Sequence, residues 1–461
     1  MTIRTDLSKL RQVTSKPLAQ TKQAPKPANT FNADSFKAVL PPVKKVVELA
    51  LEKLLPQKKG AGRTPADAVR DADLLLRGES VARDSEGSAE VVRDAANVND
   101  ARDTIEQSTR HQAAVTQLEE NKALEAAQRE QLSPADRQKY DAVKQRCLDA
   151  NDPVAAVALQ KMLFEGKLPG EKDLKGEGTT LDHLAALSDE NTPLAEGVDR
   201  NSLVTDLVQE LATPSSINQG PRGTCAPTTL AIQLAMNDPA EYARLAAGLA
   251  SPDGKVVLAG GQTLTREEGT AADDKTGRST TQRLIGSAFM ELANGDRDYD
   301  NASGEGAGAW SDKLDVLYEA VTGRKMSDQR LTTDEQRAGA MDIIDTQLRA
   351  GAAVPVALAW GDGYHKVLVT GTETVNGQEY VKYTNPWGRE ERIPRADFEK
   401  RLADISYDPR AQVLGTVLQG LDTVNEGIHN GLDTINDIFN RLDPKDLLAD
   451  VRRAQLKSVA P

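Results

Sequence analysis

The chain has 461 residues, a formal net charge of −13, 39% hydrophobic residues and only two cysteines, Cys147 and Cys225. A chain of this length is longer than a domain with one hydrophobic core and predicts two or three structural units. Two cysteines are too few for a disulfide framework. The acidic balance argues against a nucleic-acid partner. The sequence predicts no membrane span, since it contains no apolar run of about eighteen residues.

The N-terminal segment is basic. Residues 1–60 carry 12 Lys and Arg against 4 Asp and Glu. We predict a disordered tail over residues 1–40, because its Thr, Ser, Gln, Pro and Lys cannot bury enough apolar surface to offset the entropy of ordering. Such a tail is either a solvated extension or a signal that directs export or docks on an anionic partner. Because the tail lacks the apolar core of a secretory signal peptide, we expect the protein to be cytoplasmic or exported by a leaderless route.

Residues 41–200 favour helices. The run "PPVKKVVELALEKLLP" (41–56) has the spacing of a short amphipathic helix that begins at proline. Further along, Ser133 and Pro134 are typical of an N-cap and a first helical position. The helix that follows carries Cys147, which we expect to be a buried structural thiol. We predict that 41–200 is a helical accessory region or a pro-region.

Residues 213–405 place helices before strands. A helix is predicted after Thr224, and three more are predicted at 280–293, 309–321 and 333–349. Three β-branched runs follow, with the sequences "VPVALAW", "HKVLVTGTETV" and "QEYVKYTN". The last two are joined by Asn376-Gly377, a strong hairpin signal. This order predicts an α+β domain of two halves.

The C-terminal segment, residues 411–461, contains an eleven-residue repeat, "GLDTVNEGIHN" followed by "GLDTINDIFNR". Its apolar residues recur along one helical stripe. We predict an amphipathic helix that either packs on its own domain or mediates self-association.

Cys225 lies where a helix is predicted to begin, and a helix N-terminus favours a thiolate. Gly220 and Gly223 precede it and allow a tight turn and close approach of a substrate. Gln219 lies six residues upstream, so that its side-chain amide and the Cys225 N–H are candidates for an oxyanion hole.

A nucleophilic thiol needs a base, which is usually histidine. Of the four histidines, His365 begins a predicted strand after the loop "GDGY", whereas His111, His183 and His429 have surroundings that suit surface or packing roles. The sequence "NPWG" follows twenty residues later, where Asn385 could accept a hydrogen bond from the imidazole. Trp387 could shield that bond from water.

Together these motifs resemble the papain-like cysteine peptidases, and "NPWG" is most similar to calpains and bacterial double-glycine leader peptidases. The resemblance covers 213–405 and implies a helical half and an antiparallel β half with the active site between them. It implies Cys225 as nucleophile, His365 as general base and acid, Asn385 as the residue that orients the imidazole, and Gln219 as oxyanion-hole donor. The chain departs from the family pattern at Ala226 and Lys366.

The predicted function is therefore thiol-dependent hydrolysis of peptide or isopeptide bonds in a polypeptide substrate, with no metal or organic cofactor. Two alternatives stay open: amide transfer or deamidation by the same Cys–His pair, and a catalytically inactive papain-like binding module. Because related peptidases often carry an inhibitory prosegment at this place, we predict that deleting residues 1–200 raises activity or leaves it unchanged; a folded truncation that loses activity would make the segment part of the substrate site.

Strand geometry sets a condition on this site. If Asn376-Gly377 forms a regular two-residue turn with Val375 opposite Gln378, Asn385 faces away from His365, because side chains alternate along a strand. A bulge or a three-residue turn between 370 and 385 restores the shared face. We therefore predict one of these, with the Asn385 oxygen within about 3.5 Å of a ring nitrogen. In a regular hairpin, Asp362 would be the next candidate.

Overall fold

The computed structural model describes residues 63–77, 83–84, 96–309 and 311–425. The predicted tail (1–40), the predicted helix at 41–56 and the repeat segment beyond residue 425 lie outside the described residues. Within them, no helix is long and apolar enough to cross a membrane.

Helices make up most of the described chain before residue 323. In chain order they are α1 Pro65–Arg77, α2 Ala96–Glu120, α3 Lys122–Arg129, α4 Pro134–Asp149, α5 Pro153–Phe164, α6 Thr180–Ser188, α7 Arg200–Ala212, α8 Cys225–Asn237, α9 Pro239–Ala250, α10 Thr280–Asn294 and α11 Ser311–Thr322. A short 3₁₀ turn, Pro214–Ser216, follows α7, and a small antiparallel ribbon of β2 (Lys255–Val257) and β3 (Thr263–Thr265) follows α9.

Side-chain caps define several helix starts. Ser133 accepts from the backbone N–H of Asp136 and is followed by Pro134, as the sequence predicts for α4. Thr179 and Asp182 form a reciprocal capping box at α6. These contacts satisfy N–H groups that would otherwise lack partners at the first turn, so each helix begins at a fixed residue.

Helices on both sides of residue 213 share one hydrophobic core. Leu159, Leu184 and Leu207 before that point pack in the same cluster as Leu230 and Leu284 after it, and all five are almost fully buried. The sequence predicts that 41–200 is an accessory region or pro-region separate from 213–405. The structure does not divide the two at the level of the core, because α4–α7 complete the apolar surface on which α8–α11 pack.

Six strands from the second part of the chain and one short strand near its N-terminus form a seven-stranded sheet. Its strands are β1 Arg83–Asp84, β4 Ser327–Arg330, β5 Val354–Trp360, β6 Gly363–Val375, β7 Gln378–Asn385, β8 Arg389–Pro394 and β9 Leu402–Tyr407, in the order β1-β8-β7-β6-β5-β9-β4. All neighbours pair antiparallel except β1, which pairs parallel to β8. Helices α12 (Asp334–Arg349) and α13 (Arg395–Arg401) accompany the sheet. The predicted α+β class is confirmed.

Helix α8 connects the two parts of the fold. It contacts α9, α10 and α11 within the helical core and also packs against β6 of the sheet. Within this contact the Thr229 hydroxyl bonds to the backbone carbonyl oxygens of Cys225 at 2.8 Å and Lys366 at 3.2 Å. The start of α8 and the start of β6 are therefore fixed next to each other.

The last described helix, α14 (Pro409–Asn425), packs against α12. Leu414 and Val417 of the predicted apolar stripe are buried there. The described half of this helix therefore packs on its own domain, and the remaining positions of the stripe lie outside the described residues.

Candidate functional site

A bulge in the β6–β7 hairpin places Asn385 beside His365. Val375 pairs with Gln378 across the two-residue turn, but the register shifts between Val369 and Gly371, so that Thr370 is an extra residue on β6. His365 Nε2 lies 2.9 Å from Asn385 Oδ1. The predicted bulge and the predicted contact are both confirmed, and Asp362 is not needed as an alternative.

The orientation of the Asn385 amide is fixed from both ends. Its oxygen also accepts from the backbone N–H of Trp387 at 3.1 Å, and its nitrogen donates to the Glu391 carboxylate at 3.2 Å. Because Oδ1 is an acceptor, the hydrogen in the bond to His365 belongs to Nε2. The other ring nitrogen, Nδ1, is then the basic nitrogen of the neutral imidazole.

Two tryptophans flank the imidazole. The Trp387 ring stacks on His365 with centroids 4.4 Å apart and an interplanar angle of 24°. Trp360, at the end of β5, approaches at 5.3 Å and meets Trp387 edge-on. His365 is only 5% exposed and Asn385 is fully buried. The predicted shielding of the His–Asn bond by Trp387 is thus observed, and Trp360 adds a second wall that the sequence analysis missed.

Cys225 is the first residue of α8, and the backbone N–H groups of Lys366, Ala226 and Cys225 itself act to lower the pKa of its thiol. Lys366 directly follows His365 on β6, so the sulfur lies at the same end of that strand as the imidazole. Thr224 occupies the predicted N-cap position but makes no side-chain cap hydrogen bond. The Thr224 side chain therefore does not occupy the amides at the start of α8.

Gln219 lies on the loop that leads to α8, and this loop is tied to the segment that follows Asn385. Its backbone N–H donates to the Pro386 carbonyl at 2.7 Å, and the preceding residue, Asn218, forms a bridge with Trp387. Gly388 allows this approach, because a Cβ at that position would lie 3.1 Å from the Asn218 side chain. Contacts through neighbouring residues thus link all four predicted site positions.

The Gln219 side chain is buried, and its nitrogen donates to the Arg222 carbonyl at 2.6 Å. An amide nitrogen carries two hydrogens, so one N–H is used in this bond and the second is left for a further acceptor. The glycine turn predicted upstream of Cys225 is observed at Gly220, whose φ is +60° and whose Cβ would lie 2.8 Å from the Arg278 side chain. Only glycine fits that position without strain.

Burial is the largest influence on the pKa values of Cys225 and His365. It raises the pKa of the Cys225 thiol, and the amides of Lys366 and Ala226 offset only part of the rise. It lowers the pKa of the His365 imidazole, against the opposing effects of the Asn385 hydrogen bond and the Glu391 charge. The helix N-terminus favours a thiolate, as expected, but desolvation opposes it and is the larger effect on the Cys225 thiol. Burial thus favours the neutral form of both the Cys225 thiol and the His365 imidazole.

A buried ion pair lies behind the site. Lys366 Nζ is 2.6 Å from Asp404 Oδ1 on β9, and both side chains are buried. The same oxygen accepts the Ala357 backbone N–H at 3.0 Å. Lys366, which departs from the pattern of the resembled family, therefore has a buried partner. Because Asp404 lies on a later strand, no local motif indicates this pair.

The remaining candidates lie outside the site. Cys147 is fully buried, and burial raises the pKa of its thiol to about 12, as expected for a structural cysteine. His183 binds Asp173 at 2.8 Å, and His111 lies on α2. His429 is outside the described residues. Among the residues that the structure describes, no group of three or more His, Cys, Asp or Glu side chains is arranged to hold a metal ion.

Comparison with known proteins adds no identity to these observations. No family model matches the sequence, and no curated protein or solved structure matches the chain.

Proposed function

We propose that this chain is a thiol-dependent hydrolase of peptide or isopeptide bonds, organised like a papain-like cysteine peptidase. The observation that carries the proposal is the buried 2.9 Å contact between His365 Nε2 and Asn385 Oδ1, on the strand that packs against the helix that Cys225 begins. A helical part that precedes an antiparallel sheet, with the site where α8 meets β6, supports the two-lobed fold that the resemblance implies.

The tautomer of His365 assigns its role. Nε2–H donates to Asn385, so Nδ1 takes the thiol proton as the sulfur attacks the substrate carbonyl carbon. The resulting imidazolium is stabilised by the Asn385 oxygen. It then protonates the leaving amine, and the C–N bond breaks to leave an acyl thioester on Cys225. Water, deprotonated by the same nitrogen, hydrolyses the thioester and regenerates the thiol.

The negative oxygen of the tetrahedral intermediate needs donors. The backbone N–H of Cys225 and the second N–H of the Gln219 side chain are the groups for this role. The loop of Gln219 is hydrogen-bonded to Pro386, so the donor is attached to the same segment that carries Asn385. Such preorganisation matters because the donors need not rearrange as charge develops.

The proposal is tested by incubating wild-type protein, Cys225→Ala and Cys147→Ala with a peptide library and identifying the products by mass spectrometry. Cleavage by wild type and by the Cys147→Ala control, together with none by Cys225→Ala, is expected. Cleavage that survives in Cys225→Ala refutes the assignment. Loss of ammonia with an intact peptide backbone identifies amide hydrolysis or transfer instead. No product and an unreactive Cys225 thiol identify an inactive binding module.

A further inference from the structure

Glu391 is a buried carboxylate next to the candidate site. It lies on β8 within the charged run "REER" (389–392) and is only 3% exposed. Its Oε2 accepts the Tyr383 hydroxyl at 2.8 Å and the Asn385 amide nitrogen at 3.2 Å. Its Oε1 faces the Arg389 guanidinium. A buried carboxylate is costly unless it is hydrogen-bonded, and here both oxygens have donors.

These contacts determine which end of the Asn385 amide meets the imidazole. With the amide nitrogen held by Glu391, the oxygen faces His365 and the Trp387 backbone N–H. A rotated amide would place two acceptors together at Glu391 and two donors together at Trp387. We propose that Glu391 is a positioning residue that fixes the Asn385 amide and, through it, the His365 tautomer. This inference rests on the proposed function.

Charge supports the same role. Glu391 favours the protonated form of His365, while Arg389 on the same strand opposes it. On the other side, the Lys366 ammonium is paired with Asp404, and the Cys225 thiol is favoured in its neutral form. Glu391 therefore both orients the amide and contributes negative charge when His365 takes a proton.

In Glu391→Gln, the group that faces Asn385 changes from a hydrogen-bond acceptor to a donor. Arg389 needs an acceptor, so the glutamine oxygen is expected to face the guanidinium and the glutamine NH₂ to face Asn385. Two NH₂ groups, both donors, then face each other. The Asn385 amide must rotate to offer its oxygen to the glutamine, and its nitrogen then faces His365. The basic nitrogen is no longer held in place, and we expect Cys225 to react about tenfold more slowly or worse, as for the loss of one buried hydrogen bond.

Asn385→Asp provides the reciprocal change. Alone, it places a second carboxylate against Glu391, and the two acceptors repel. Combined with Glu391→Gln, however, it restores a donor opposite an acceptor between the two positions, and the Tyr383 hydroxyl then accepts from the glutamine NH₂ instead of donating to Oε2. One oxygen of the introduced carboxylate accepts from His365 and Trp387, and the other accepts the glutamine NH₂. We expect each single variant to lose about tenfold or more, and the double variant to return to within about threefold of wild type.

The four proteins are compared by peptide turnover and by the rate at which iodoacetamide alkylates Cys225 at pH 7. Glu390→Gln is the matched control, since that neighbouring carboxylate is 39% exposed and pairs with Arg77 at the surface. Rescue in the double variant supports the positioning role, because two independent structural losses would add. Additive losses, or a Glu391→Gln rate equal to that of Glu390→Gln, overturn it.

The two readouts separate this inference from the proposed function. If no variant and no wild-type protein cleaves peptides, the hydrolase proposal fails, yet the alkylation rates still show whether the double variant is rescued. If wild type cleaves peptides but neither readout shows rescue, only the role of Glu391 fails. Thermal unfolding of all variants confirms that each rate is measured on folded protein.

Discussion

Asn385→Leu tests the orientation of His365 with an apolar side chain that branches at the same carbon as asparagine. The substitution removes the polar contacts of the amide, and because leucine is larger than asparagine, thermal unfolding must show that the fully buried site accommodates it. His365 Nε2–H and the Trp387 backbone N–H lose their shared acceptor, and Glu391 loses one of its donors. Because His365 is only 5% exposed, water does not readily replace the lost acceptor.

The expected loss of kcat/KM in Asn385→Leu follows from these contacts. A buried donor without a partner costs about 1–3 kcal/mol, and a hydrogen bond to a charged group contributes about 1.5–3 kcal/mol. The second figure applies when His365 becomes an imidazolium during attack. Since about 1.4 kcal/mol corresponds to tenfold in rate, we expect Asn385→Leu to lower kcat/KM by about 10- to 150-fold.

The assay is kcat/KM on a cleaved peptide, with thermal unfolding as the measure of folding. Asn191→Leu is the control, because Asn191 is exposed and its hydrogen bonds reach only Asp189. A folded Asn385→Leu protein with kcat/KM within about twofold of wild type would show that the orienting contact has no catalytic role.

Three further predictions follow from burial and from the shared core. Alkylation of Cys225 by iodoacetamide should rise with pH to a midpoint above the ordinary thiol value of about 8.5; a flat rate from pH 5 to 8 would instead show a preformed ion pair. With Trp310 replaced by Phe, the remaining fluorescence comes from Trp360 and Trp387, which both flank His365; its titration midpoint should lie below about 6.5, and a midpoint at or above that value contradicts the desolvation argument. A chain lacking residues 1–199 should show no cooperative thermal unfolding, because it lacks the core leucines of α5 and α6; a folded, active fragment would contradict the shared core.

The local parts of the fold were predictable. The strand Val354–Trp360 and the strand Gln378–Asn385 match their predicted bounds, and α10 and α12 begin at or next to the predicted residues. Turn chemistry at Asn376-Gly377 and alternation along the strands were enough to require a bulge, which the structure places at Thr370. Periodicity and turn residues act over a few positions, so a single sequence carries their signal.

Contacts between distant segments were not predictable in the same way. Nothing local indicates that Glu391, in a run of charged residues, is buried or that Lys366 pairs with Asp404. Nothing local indicates that the apolar helices α5 and α6 complete a core whose other members lie beyond residue 213. Trp360 did carry a signal. Its pairing with Gly363 across a two-residue turn places it on the same face as His365.

The central claim is that the Cys225 sulfur attacks a substrate carbonyl. Acid quenching during turnover, followed by peptide mapping in a mass spectrometer, tests this claim most directly. We predict an acyl group attached to Cys225 in wild type and in Cys147→Ala, and strongly reduced acylation in His365→Ala. Turnover without an adduct on Cys225, or with an adduct on another residue, would contradict the claim.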